Sequence, residues 1–85
     1  MIRFKAPRWG HEHLAQRLCH ILYGDDGVWR DHAGRWHLGS ANDWWLHPQK
    51  DETFLLHHRY GRKARLRQLA AVLAWLLDVE IIEVA

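Results

Sequence analysis

The chain has 85 residues, of which 48% are hydrophobic, and it carries eight His, six Trp and a formal net charge of +2. This length predicts one domain spanning residues 1–85 with a small core, and so low a charge does not by itself indicate a nucleic-acid partner. The only cysteine, Cys19, excludes an internal disulfide and a cysteine-based zinc site. There is neither a signal-peptide pattern nor an apolar run of about 18 residues, so we expect a cytoplasmic protein with no membrane partner.

The first quarter of the chain predicts a strand and a helix. Ile2–Lys5 is interpreted as a short edge strand that ends before Pro7. Gly10 and Gly24 fit the two caps of a helix from His11 to Tyr23. One side of this helix is apolar at helical spacing, through Leu14, Leu18, Ile21 and Leu22.

Four short segments then alternate between two kinds of residue, at 28–32, 35–38, 43–47 and 53–60, and turn residues at 32–34, 39–42 and 48–51 join them. Successive strand side chains point to opposite faces, so we expect one apolar face and one cationic, His-rich face. The apolar set is Trp29, Trp36, Leu38, Trp44, Leu46, Phe54 and Leu56. The cationic set is Arg30, His32, Arg35, His37, Trp45, His47, Leu55, His57 and Arg59.

The last third predicts a second helix over Arg62–Leu77 and a final strand over 79–84, which could pair with the first strand. The expected fold is α+β, an antiparallel sheet of four to six strands with two helices on its apolar face, in the order β-α-β-β-β-β-α-β. Trp75 lies opposite the core side of the second helix. Either another segment of the chain covers Trp75, or a partner or second copy does.

The cationic face suggests a binding surface. Arg and His side chains can pair with phosphates or carboxylates, and the Trp45 ring can stack a base. A solvated outer face is the alternative, because antiparallel sheets commonly leave one side wet.

A basic cluster at the start of the second helix favours the same interpretation. Arg62, Lys63 and Arg65 lie in the first helical turn, where the helix dipole disfavours positive charge. A bound anion would relieve that conflict, and acidic neighbours from another segment would do the same.

Spacing argues against most reactive sites. His57 and His58 point to opposite faces of a strand, and Cys19 diverges from His20 on a helix, where we expect an inert thiol. His37, His47 and His57 could converge on a metal only if the strand order allowed it. We expect no metal and no cofactor.

Three hypotheses remain. The favoured one is a non-enzymatic protein-binding inhibitor or regulator, of the kind that phages and mobile elements encode. A nucleic-acid-binding module is the second, and a His-based metal-dependent enzyme is the third. The expected binding residues are Arg30, Arg35, His37, Trp45, His47, His57, Arg59, Arg62, Lys63, Arg65 and Trp75, and a homodimer through Trp75 is possible.

Overall fold

The computed structural model describes residues 1–40 and 43–85. These residues form β1 (Ile2–Lys5), α1 (His11–Tyr23), β2 (Val28–Arg30), β3 (Trp36–Leu38), β4 (Trp44–Pro48), β5 (Thr53–His58), α2 (Lys63–Leu77) and β6 (Glu80–Val84). The strands make one antiparallel sheet in the order β2-β3-β4-β5-β1-β6. The predicted α+β class and order of elements are confirmed. The predicted turn at 39–42 lies partly outside the described residues, since it includes 41 and 42.

The first strand is internal, so its interpretation as an edge strand is wrong. β1 pairs with β5 on one side and with β6 on the other. Ile2 and Phe4 are fully buried, and the Phe4 ring stacks on Phe54 at 5.7 Å. The edge position belongs to β6, whose register shifts beside β1 and whose Glu80 and Glu83 are charged, as is common for protected sheet edges.

Both helices pack on the same face of the sheet. The predicted bounds of α1 and its two glycine caps are confirmed, because Gly10 is extended and Gly24 is left-handed with φ 76°. The helices bury Leu14, Ala15, Leu18 and Cys19 from α1, and Leu66, Ala70, Leu73 and Leu77 from α2. These side chains share one core with Leu38, Leu46, Phe54 and Leu56 of the sheet.

In the first alternating segment, at 28–32, the side chains lie on the opposite faces of the sheet from those predicted. Trp29 lies opposite His37 in the β2–β3 pair, whereas Arg30 lies opposite Trp36 on the helix-bearing side. The reason is the five-residue connection at 31–35, which sets this register. Trp29, at the sheet edge, is therefore 53% exposed, and the Arg30 guanidinium lies over the Trp36 ring at 5.7 Å.

The outer side of α2 is uncovered. Trp75 is 83% exposed, and Val72 and Leu76 are also exposed. The final strand joins the sheet beside β1 and does not cover Trp75. Of the two explanations given for this side chain, cover by the chain itself is therefore excluded for the described residues.

Candidate binding surfaces

The sheet face away from the helices carries a row of four rings. We call this side the open face, and define it by Arg3, Trp29, His37, Trp45, His47, Leu55 and His57, which are cross-strand partners of one another. Trp29 stacks on His37 with centroids 4.0 Å apart, and Trp45 stacks on His57 at 5.2 Å. Because paired rings from adjacent strands stand side by side, the row is ordered before any partner arrives.

Asp31 fixes the corner of the open face. Its Oδ1 accepts hydrogen bonds from the backbone N–H groups of Ala33 and Arg35, both at 2.9 Å. Its Oδ2 lies 2.7 Å from His37 Nε2 and 2.8 Å from Arg35 Nε. The hydrogen bond from His37 and those from Arg35 hold the pKa of the Asp31 carboxyl well below its usual range. The carboxylate therefore offsets the charge of Arg35 and orients the His37 ring.

The sequence interpretation missed Asp31, whose contacts order this corner of the open face. An Asp at the start of a turn commonly accepts a hydrogen bond from the backbone N–H two residues further on. Asp31, which is followed by the turn residue Gly34, carried that signal in the sequence.

Burial lowers the pKa of His57. The positive charges of the Met1 ammonium, His47 and Arg35 act in the same direction. The His57 ring is therefore uncharged at neutral pH, when it presents one donor and one acceptor.

The predicted binding residues lie in several places and not on one broad surface, which corrects the prediction of a continuous surface. His37, Trp45, His47 and His57 are on the open face, and Arg35 is at its corner. Arg30 is on the helix-bearing side of the sheet, so its predicted position is wrong. The rest are Arg59, which follows β5, Arg62, Lys63 and Arg65 at the start of α2, and Trp75 on its outer side.

The start of α2 is strongly basic. Arg62 is the N-cap in extended conformation without a side-chain cap, and the first turn contains no acidic residue. Within residues 1–40 and 43–85, no ion pair involves Arg59, Arg62, Lys63 or Arg65. The Arg59 guanidinium lies 5.9 Å from the centre of the Tyr60 ring. The predicted conflict with the helix dipole is thus present, and no acidic group among the described residues forms an ion pair with these cations.

A cleft of about 720 Å³ lies beside this basic end. Its walls combine aromatic, aliphatic and cationic side chains, and they are formed by Leu22, Trp44, His58, Tyr60, Arg62, Arg65, Gln68, Leu69 and Val72, among others. The sequence analysis did not find this cleft, because its walls come from α1, β4, β5 and α2.

The histidines of the open face do not form a metal site. The strand that carries Trp45 separates His37 from His57. Across the described ranges, no three His, Cys, Asp or Glu side chains are grouped closely enough to hold a metal.

Cys19 is fully buried in the core, more deeply than its position off the leucine stripe suggested. Burial, with a hydrogen bond to Asp25 at 3.3 Å, raises the pKa of the thiol to about 11. A thiolate nucleophile is therefore disfavoured at this position.

No helix among the described residues is both long and apolar enough to cross a membrane. Comparisons of the chain with models of protein families, with curated proteins and with solved structures found no match.

Proposed function

We propose that this chain is a small non-enzymatic binding protein that inhibits or regulates another protein through the open face. The observation that supports this proposal is the row of stacked rings, Trp29 on His37 and Trp45 on His57, which neither helix covers. Side chains that are already held in one conformation lose little entropy on binding. Trp is also among the residues enriched at the energetic centres of protein interfaces.

The same stacking disfavours single-stranded nucleic acid on this face. Base stacking requires a free ring face, and His57 already takes one of the two faces of the Trp45 ring, as His37 does for Trp29. The charge pattern agrees, because Asp31 neutralises Arg35, and Arg3 lies opposite Glu83 across β1 and β6. The open face therefore lacks a continuous cationic track for phosphates.

The chemistry of the open face indicates the kind of protein surface that it binds. Trp29 and Leu55 offer apolar contact, while His47, His57 and Arg3 offer hydrogen-bond donors at its centre. We therefore expect a partner surface with an apolar side chain surrounded by carbonyl or carboxylate acceptors.

The test is affinity capture from the native host with and without nuclease. The wild-type chain should retain a protein after nuclease treatment, and the variants Trp29→Ser and Arg3→Ser should lose it. Arg17→Ser is the matched control, since Arg17 is an exposed arginine on α1, on the other side of the molecule. Equal capture by all four chains, or capture of nucleic acid alone, would refute the proposal.

Nucleic-acid binding is the second candidate, and it is favoured by the cations at the start of α2, which form no ion pair in the described part of the chain. Binding to a single-stranded oligonucleotide should then weaken steeply as salt rises, and Arg62→Ala should flatten that dependence. Binding that ignores salt, or no binding at low salt, would exclude this candidate.

A further inference from the structure

We propose that α2 is also a homodimer interface, in which the α2 helices of two copies pack antiparallel about a two-fold axis near Val72. This interface goes beyond the proposed function, since it lies on the helix side of the molecule and leaves the open face of each copy accessible. The occupant of the exposed apolar side of α2 is therefore a second copy of this chain.

The first observation is that α2 has two apolar sides, of which the fold uses only one. Leu66, Ala70, Leu73 and Leu77 point into the core. Leu69, Val72 and Leu76 recur at helical spacing on a second side, where Val72 is 45% and Leu76 46% exposed. Trp75 flanks this side and is the most exposed of the large hydrophobic residues described.

The second observation is the exposed area. Taking about 200 Å² for each aromatic side chain, Trp75 and Tyr60 together expose roughly 300 Å², more than a third of the about 800 Å² that one partner buries in a standard interface. Val72, Leu76 and the walls of the cleft add to this area. A patch of this size is sufficient for the apolar centre of a dimer interface.

The third observation is that the charges along α2 complement themselves in an antiparallel pair. The helix begins with Arg62, Lys63 and Arg65 and has no basic residue in its last turn, which is followed by Asp78 and Glu80. If two copies pack antiparallel about Val72, Arg65 of one lies about level with Asp78, the C-cap of α2 in the other. Each basic helix start then meets an acidic helix end. This contact offsets the positive charge at the start of α2 and the negative charge after its end, which the helix dipole disfavours.

The shape is complementary in the same arrangement. Trp75 and Leu69 lie on either side of Val72, each about 4.5 Å along the helix axis at 1.5 Å per residue. Trp75 of one copy is therefore level with Leu69 of the other, at the edge of the 720 Å³ cleft. An exposed tryptophan beside a cleft on the same helix suits a two-fold interface, in which each copy inserts the same side chain into the other.

The mass of the protein in solution tests the proposal. The wild-type chain should have twice its monomer mass of 10.2 kDa, and Trp75→Ser should have the monomer mass. Trp29→Ser is the matched control, because it removes an exposed tryptophan from the open face and should remain dimeric. Loss of partner capture by Trp29→Ser and loss of dimer mass by Trp75→Ser separate the two proposals from each other.

Disulfide trapping tests the geometry independently. Val72→Cys should cross-link to its copy under mild oxidation, because a residue at a two-fold axis lies close to itself. Arg67→Cys, at an exposed position about 140° from Val72 around the axis of α2, should cross-link far more slowly, while the buried Cys19 contributes no background. Arg65→Glu should weaken the dimer at least tenfold without altering the circular dichroism spectrum.

A wild-type chain that stays monomeric up to millimolar concentration would overturn the proposal. So would a dimer that survives both Trp75→Ser and Arg65→Glu, or equal cross-linking through Val72→Cys and Arg67→Cys. A monomer that loses a different protein partner on Trp75→Ser would also overturn it, because the occupant would then be that partner.

Discussion

Replacing Trp75 with Ser should hardly change the stability of the folded monomer, whereas the same change at Trp29 should lower it clearly. Trp75 is 83% exposed and Trp29 is 53% exposed. With about 200 Å² for a Trp side chain, Trp75 buries only about 35 Å² in the monomer and Trp29 about 95 Å². At about 25 cal/mol per Å², the losses are about 0.9 kcal/mol for Trp75 and about 2.4 kcal/mol for Trp29.

Helix propensity does not disturb this comparison, because Trp and Ser have similar propensities. The measurement is urea unfolding followed by far-UV circular dichroism, at a concentration low enough that each variant is monomeric by light scattering. The free energies of unfolding should follow the order wild type, Trp75→Ser, Trp29→Ser. A loss for Trp75→Ser as large as that for Trp29→Ser would refute the reasoning, since it would mean that the monomer covers Trp75.

Three further predictions concern pH, the thiol and a glycine. The pKa values of His57 and Asp31 are both lowered on folding, so each group contributes stability above its unfolded pKa that is lost as pH falls. The urea midpoint of unfolding should therefore drop as pH falls below 6.5, because of His57, and again below 3.8, because of Asp31. His57→Gln should remove the first drop. A midpoint that rises on acidification would contradict this prediction. Folding raises the pKa of the Cys19 thiol from 9.0 to about 11, which leaves about 100-fold less thiolate. Native protein should therefore react with a thiol reagent at least about 100-fold more slowly than urea-unfolded protein. Equal rates would place Cys19 at the surface. Gly39→Ala should cost at least about 1 kcal/mol, because φ is 75° and its Cβ would lie 3.0 Å from the Tyr23 ring, whereas Gly10→Ala, with open space, should cost less.

Much of the fold followed from local patterns in the chain. The bounds of α1 were predictable because its apolar spacing lies between two glycines that fit the caps. The outer position of Trp75 followed from its angle on the α2 helix relative to Leu73 and Leu77. Both are short-range properties, in which the helical repeat relates residues a few positions apart.

Predictions that depended on pairing between distant segments were less successful. Ile2–Lys5 resembles an edge strand because it is short, yet β5 and β6 enclose it. Arg30 and Trp29 exchanged faces because the length of the 31–35 connection sets the register, and apolar character alone placed Trp29 inside.

In the candidate site, too, short-range patterns were predictable, whereas contacts between distant segments were not. The composition and alternation of the strands determined that Trp and His side chains would share a face, and His37, Trp45, His47 and His57 do so. Only the tertiary structure decided that His37 and His57 lie on either side of Trp45, that Asp31 orients His37, and that α2 and β5 enclose a cleft. The physical reason is that side-chain direction repeats along a single strand or helix, whereas stacking, hydrogen bonding and enclosure depend on which strands become neighbours.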